Sequence, residues 1–272
     1  NPVHNKCAVD ALEQVFALDT TKADTVFFTK ITFAASRPSR IDTIKVKIDS
    51  TGATRDSVVS TPDTARFVKW ARIGVAKYPN NTILLGQLAE AYSVAGPIDS
   101  SVAVTKRLMS ADSSDVSPVL RVAKALVDAK RGKEALELSP YLERLGSTDD
   151  KANMSGLLAI GGFKLLQPPS DYPTAAQLAR ASIRMAAGVP GRIAFANYVL
   201  GFATFFQVPP LDTQAAEQKS CELAKQARAL LDEAGPALQA GRSINEAAAA
   251  RFIQGVESYG PRNASLQKAY CR

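Results

Sequence analysis

A 34-residue period between Pro79 and Asp149 constrains the fold of this chain more than any other feature. Apolar and small residues recur at this spacing in the pairs Leu85/Val119, Leu88/Val122, Ala89/Ala123, Tyr92/Leu126, Val102/Leu136 and Leu108/Leu142. Turn sequences separate two apolar stretches within each repeat. A fixed period of this length is typical of stacked helical hairpins. The pattern therefore predicts hairpins at 82–95/98–111 and 116–129/133–145.

The N-terminal segment departs from this period. Residues 8–18 carry apolar side chains at helical spacing and predict a helix. Residues 25–33 are dense in β-branched and aromatic residues, which favours a strand, although their apolar positions also fit a helical stripe. Strict alternation from Ile44 to Ile48, followed by turn residues, predicts a β-hairpin between 41 and 60.

Beyond residue 150 the spacing lengthens to 40 residues, as in Gly161/Gly201. Two proline pairs, Pro168-Pro169 and Pro209-Pro210, are expected to form stiff extended loops on one edge, because consecutive prolines cannot continue a helix. Gly161-Gly162 falls inside a predicted helix and indicates the close approach of a neighbouring helix. Apolar spacing predicts helices at 151–166, 173–187, 191–206, 213–232, 242–258 and 263–271.

These changes of pattern divide the chain into three predicted regions. Residues 1–60 contain an N-terminal helix and a β-rich segment, and residues 61–149 contain the regular repeats. Residues 150–272 contain lengthened hairpins and C-terminal capping helices. The predicted fold class is therefore mainly α, with a small β-hairpin inserted near the N-terminus.

The regular region resembles the tetratricopeptide repeat family. The first-helix places of that family are filled by Leu85, Leu88, Ala89 and Tyr92 in one repeat and by Val119, Val122, Ala123 and Leu126 in the next, and Pro79 matches its terminal proline. The sequence departs from the family at Leu108 and Leu142, where Ala is usual, and at Ser113 and Ser147, where Pro is usual. The resemblance implies a right-handed α-solenoid.

The same resemblance implies a concave groove lined by side chains of the first helices. Glu90, Lys124 and Asp128 are the charged candidates for contact with a partner there. The alternative is that they belong to an ordinary solvated helix face.

A second set of candidate contact residues surrounds the proline pairs. Tyr172 follows the first pair, Phe205 and Phe206 precede the second, and Leu211 follows it. An apolar edge stiffened by proline loses little entropy on docking, so it would suit a partner surface. The alternative is that these side chains cover the core of the protein itself.

Charge and hydropathy narrow the classes of partner. The net charge is +7, but the basic residues are spread over the chain and not collected into a stripe, so we expect no nucleic-acid partner. No apolar run approaches the roughly 20 residues of a membrane-spanning helix. The chain begins at Asn1 and not at Met, which suggests a processed N-terminus and favours export over a cytoplasmic location.

The chain has three cysteines, none in a Cys-x-x-Cys pair, which fits neither a disulfide framework nor a zinc site. Cys221 and Cys271 would be bridged if the compartment is oxidising. The alternative is that both are separate thiols.

The sequence contains no recognisable catalytic or cofactor-binding motif. The single histidine, His4, lies near the chain start, where a stably positioned general base is not expected. No Gly-rich phosphate loop, His-Glu-x-x-His pair or haem attachment site occurs. We therefore expect no enzymatic activity, no catalytic residue, no cofactor and no metal.

The leading hypothesis is a non-enzymatic protein–protein interaction scaffold. It would be an accessory subunit of a larger complex in a bacterial envelope, in the periplasm or at the periphery of a membrane complex such as a photosynthetic one. The first alternative is a carrier module that binds a peptide or a glycan in the concave groove. The second is the arm of a transcriptional regulator.

Overall fold

The computed structural model describes residues 2–47, 54–111, 115–186 and 188–271. These residues are mainly α-helical and include one two-stranded antiparallel sheet near the N-terminus, which confirms the mainly α class and the small β-hairpin; the right-handed solenoid stays a prediction. The chain folds into two compact units, Asn1–Ala125 and Leu126–Arg272. None of the helices in this part of the chain is long and apolar enough to span a bilayer.

In the first unit each helix packs against the next from α1 to α5, and α2 also contacts α4. Asp24, Asp63 and Asn81 cap three of these helices, because each side chain accepts a hydrogen bond from a backbone N–H of the first turn. The elements are α1 (Pro2–Leu18), a 3-10 turn (Thr20–Lys22), α2 (Thr25–Ser36), β1 (Pro38–Lys47), β2 (Thr54–Pro62), α3 (Thr64–Lys77), α4 (Thr82–Ala95), α5 (Ile98–Ser110) and most of α6 (Ser117–Asp128).

The segment 25–33 forms a helix and not the strand that its composition favours. Asp24 caps this helix, and Phe28, Ile31 and Ala35 form its buried stripe. The ring of Phe28 lies 6.4 Å from that of Trp70 on α3, within an aromatic cluster. Burial of this stripe outweighs the strand propensity of the segment.

The predicted β-hairpin is confirmed. β1 and β2 pair antiparallel, with Ile44 opposite Ser57 and Lys45 opposite Asp56. The base of the hairpin is tied to α1, where Asn5 Nδ2 donates to the carbonyl of Pro38 at 2.8 Å. The predicted turn at 49–53 lies outside the described residues.

Ten of the twelve residues in the pairs that recur every 34 positions are buried, and Tyr92 and Leu136 are partly buried. Leu85, Leu88 and Ala89 on α4 are at most 5% exposed, and so are their counterparts Val119, Val122 and Ala123 on α6. The predicted hairpin 82–95/98–111 is confirmed as α4 and α5, and Ser101 Oγ on α5 donates to the carbonyl of Ala89 at 2.7 Å.

The second unit continues the pattern of neighbouring packed helices. α9 contacts α10, α10 contacts α11, α11 contacts α13, and α13 contacts α14. Small residues on α10 and α11 form much of the core and allow close helix packing. Its elements are α7 (Gly132–Glu137), α8 (Ser139–Leu145), α9 (Thr148–Leu165), α10 (Tyr172–Met185), α11 (Pro190–Phe205), α12 (Val208–Gln218), α13 (Cys221–Ala240), a 3-10 turn (Arg242–Ile244) and α14 (Glu246–Tyr270).

The predicted close approach at Gly161-Gly162 is confirmed. A Cβ atom at Gly161 would lie 3.2 Å from Val127 Cγ2, and one at Gly162 would lie 3.0 Å from Val199 Cγ1. Both distances are shorter than ordinary carbon–carbon contacts of about 3.5–4.0 Å. Glycine therefore lets α9 approach its neighbours at these positions.

The two proline pairs behave differently. Pro168-Pro169 lies in the loop between α9 and α10, as predicted. The prediction of an extended loop at Pro209-Pro210 is wrong, because both residues lie in the first turn of α12. Proline is tolerated there, since its fixed φ suits a helix and the first turn needs no N–H donors.

Several predicted helix boundaries are also wrong. The helix expected at 213–232 is interrupted at Lys219, which has a left-handed φ of 50°, and Ser220 caps the next helix. The helices expected at 242–258 and 263–271 form one helix, α14, with Pro261 inside it, and α13 continues past residue 232 through Pro236. The helix expected at 133–145 is divided into α7 and α8, with a proline in the first turn of α8.

Candidate partner-binding groove

A groove of about 350 Å³ lies between α2, α4 and α6 of the first unit. α4 supplies Ile83, Gln87 and Glu90 at spacings of four and three residues, which places them on one helix face. The full lining consists of Phe33, Ser36, Arg37, Phe67, Ile83, Gly86, Gln87, Glu90, Asp115, Pro118 and Arg121.

Gly86 lines the groove where α4 packs closely against α6. A Cβ atom there would lie 2.9 Å from Cγ of Pro118 in the first turn of α6. No side chain larger than that of glycine fits without moving one of the two helices. The first-helix faces of α4 and α6 are therefore close enough to line one groove.

Two large apolar side chains are exposed at the groove. Phe33 is 52% exposed and Ile83 is 59% exposed. The guanidinium of Arg37 lies 4.4 Å from the ring centroid of Phe33, within cation–π range. Within the described residues Arg37 forms no ion pair, so its charge is available to a partner.

Gln87 presents an unpaired acceptor at the same place. Its Nε2 donates to the carbonyl of Thr29 on α2 at 3.1 Å. Its Oε1 is buried and accepts no hydrogen bond in the part of the chain that the structure describes. A buried polar atom without a partner costs about 1–3 kcal/mol. An N–H donor entering the groove would remove that cost.

Of the three charged candidates from the sequence, Glu90 lines this groove. It accepts a charge-assisted hydrogen bond from Arg121 on α6. Lys124 is exposed one turn further along α6. Asp128 accepts from Lys164 Nζ at 2.9 Å in the second unit. Contact of these residues with a partner stays a prediction.

Comparison with known proteins does not identify a ligand for this groove. No family model and no curated protein matches the chain. An inference about the ligand of this groove therefore rests on the side chains that line it.

The candidates around the proline pairs lie in an aromatic layer of the second unit. Tyr172 stacks on Phe206 with ring centroids 5.1 Å apart, and both are partly buried. Phe205 is only 7% exposed and contacts Phe252 on α14. Leu211 packs partly buried against the cluster around Val208. These residues contribute mainly to the core, and their contact with a partner stays a prediction.

Cys221 and Cys271 form a disulfide bond with their Cα atoms 4.8 Å apart, while Cys7 is unbridged and exposed. The disulfide joins the residue that follows α14 to the first residue of α13. Asn263 reinforces that attachment, because its Nδ2 donates to Asp212 Oδ1 and to the carbonyl of Ala224, both at 2.9 Å.

The described residues contain no cluster of three metal-ligating side chains. His4 lies on α1 and is exposed. The absence of enzymatic activity stays a prediction.

The sequence did not identify Phe33, Arg37 and Gln87 as site residues. The first two are four residues apart, a spacing that places them together only on a helix. Because the segment 25–33 also fitted a strand, the sequence alone could not place Phe33 and Arg37 on the same side of a helix. The unpaired state of Gln87 depends on contacts between helices and leaves no mark in the sequence.

Proposed function

We propose that this chain is a non-enzymatic protein-interaction scaffold, an accessory subunit that holds a polypeptide segment of a partner in the groove between α2, α4 and α6. The observation that carries the proposal is the unpaired Oε1 of Gln87 beside the exposed side chains of Phe33 and Ile83. The packed helical hairpins would form a tetratricopeptide-like, right-handed α-solenoid around it.

A polypeptide supplies what this groove lacks. Its backbone N–H can donate to Gln87 Oε1, while a neighbouring apolar side chain covers Phe33 and Ile83. The volume is at the lower end of the roughly 300–1,000 Å³ of ligand sites, which suits one or two side chains. A sugar ring stacks on an aromatic face, and Arg37 already occupies one of the two faces of Phe33. Two exposed apolar side chains beside one buried acceptor suit a peptide better than a hydroxyl-rich glycan.

The setting we propose is an oxidising one. The disulfide between Cys221 and Cys271 supports it, because such bonds persist mainly in exported proteins and are rare in the cytosol. A subunit in the bacterial periplasm, peripheral to a membrane complex, would meet this condition, and a photosynthetic complex is one such setting.

Affinity purification from native membranes tests the proposal. The wild-type chain should retain a stoichiometric partner, and the double variant F33S/I83S should lose it, because both apolar contacts are removed. Neither side chain is buried, so the variant should keep the wild-type circular dichroism spectrum and melting temperature.

Val26→Ser is the matched control. Val26 is 53% exposed on the same helix as Phe33 but does not line the groove. The V26S variant should retain the partner. A solitary wild-type chain, or equal retention by F33S/I83S and V26S, would contradict the proposed function.

A further inference from the structure

A second surface with an unpaired polar group lies on α9 and α11 of the second unit. Asn153, Gly156, Ile160 and Phe163 follow one another on α9 at spacings of three, four and three residues, so they share one face. Arg192, in the first turn of α11, lies beside the N-terminal half of this stripe. The stripe is therefore polar at one end and apolar at the other.

The positive charge of the Arg192 guanidinium has no carboxylate partner among the described residues. Its Nη2 donates to the amide oxygen of Asn153 at 3.3 Å, and its Nη1 is buried beside Gly156 without an acceptor among the described residues. Arg180 on α10 shows the contrast, since it donates to both carboxylate oxygens of Glu233.

The other end of the stripe exposes apolar side chains. Ile160 is 43% exposed and Phe163 is 39% exposed, and the Phe163 ring lies 5.8 Å from that of Phe195 on α11. Ile160 comes four positions after Gly156 on the helix, a rise of about 6 Å. Alternate side chains of an extended peptide are about 7 Å apart. One such pair therefore matches the distance from Gly156, where the Arg192 guanidinium lies, to Ile160.

We infer that this face of α9 and α11 is a separate docking surface for an extended polypeptide that carries a carboxylate side chain two residues from an apolar one. The carboxylate draws the Arg192 guanidinium off Gly156 and accepts its two parallel N–H groups, which removes the buried, unpaired Nη1. The apolar side chain covers Ile160 and Phe163. The net charge of +7 assists the approach of an acidic segment.

Selection from a phage-displayed library of random octapeptides on the immobilised full chain tests this inference. Enriched peptides should contain Asp or Glu two positions from an apolar residue. Synthetic fluorescent copies should bind the R192Q variant about tenfold or more weakly than wild type in anisotropy titrations. R192K, which keeps the charge without the paired N–H groups, should retain part of the affinity. I160S/F163S should also bind more weakly.

R228Q is the matched control for charge. It removes one guanidinium from α13, where Arg228 pairs with Asp232 away from this stripe, and should leave the affinity unchanged. Circular dichroism checks that each variant is folded. An empty selection, or acidic peptides that R192Q and R228Q bind equally, would overturn the inference. Peptides released by F33S/I83S and not by R192Q would also overturn it, while supporting the groove of the first unit.

Discussion

At the scale of single residues, the two candidate surfaces have one physical property in common. Each presents a polar atom that is buried and unpaired, Gln87 Oε1 in the first unit and Arg192 Nη1 in the second. Each also exposes a phenylalanine and an isoleucine on the same surface as that atom. Single exposed apolar residues are ordinary on protein surfaces, so the combination with an unpaired polar atom is the informative feature.

Tyr198 gives a residue-scale prediction about pH. The residue is 8% exposed, and burial raises the pKa of its hydroxyl above the usual value of about 10. Between these two pKa values the folded chain binds more protons than the unfolded chain, so the free energy of unfolding falls as pH rises above about 10. Y198F removes this titration. Its urea midpoint should therefore fall less than that of wild type between pH 9 and pH 11.

Phenolate absorbance near 295 nm provides the control for this experiment. The wild-type minus Y198F difference spectrum should develop only above the pH at which an unfolded tyrosine ionises. Equal loss of stability in the two proteins would show that Tyr198 ionises alike in the folded and unfolded states.

At the scale of elements, the contact between α11 and α13 depends on Gly201. A Cβ atom there would lie 2.6 Å from Leu238 Cγ and 2.8 Å from the Leu238 backbone nitrogen, and Leu238 is fully buried. G201A should destabilise the protein by about 1–3 kcal/mol through overpacking, even though alanine is the better helix former. Urea unfolding followed by circular dichroism measures the change.

Gly191, on the same helix, is the matched position for that substitution. A Cβ atom at Gly191 would meet nothing within 4 Å. G191A should therefore be neutral or slightly stabilising. Similar free energies of unfolding for G201A and G191A would mean that α11 and α13 do not pack as closely as the structure shows.

Element boundaries show where sequence reasoning succeeds and where it fails. Repeated apolar spacing located α4 and α5, because each buries one continuous stripe. The helix ends expected at 232 and 258 do not occur there, and α13 and α14 continue through Pro236 and Pro261, because long-range contacts hold the chain helical beyond these prolines. Leu238 is fully buried after the first proline, and Asn263 is hydrogen-bonded inside the protein after the second. Local signals cannot report such tertiary contacts.

Only part of the candidate groove could be predicted from the sequence. The family resemblance located the first-helix face of α4 and therefore Glu90. It could not supply the α2 side, which lies outside the regular period. Neither could it supply the unpaired oxygen of Gln87, which depends on where the Thr29 carbonyl lies. The buried face of a helix can thus be predicted from the spacing of apolar residues in a single sequence. Whether a polar atom finds a hydrogen-bond partner depends on how the helices pack together.

At the scale of the whole molecule, the location of the protein and its stability are linked through the disulfide. The bond between Cys221 and Cys271 closes a loop over a sequence separation of 50 residues. Removal of a disulfide typically costs about 2–5 kcal/mol. If the protein belongs to an oxidising compartment, the chain directed to the bacterial periplasm should be more stable than the same chain produced in the cytosol.

Thiol counting tests this link directly. In guanidinium without a reductant, a maleimide-linked polyethylene glycol should add one label to the periplasmic chain, at Cys7, and three to the cytosolic chain. The C7S variant should lose one label in each case without a change in urea midpoint, because Cys7 is exposed. C271S should reproduce the lower stability of the cytosolic chain in both compartments. Three labels on the periplasmic chain would remove the support that the disulfide gives to an exported location.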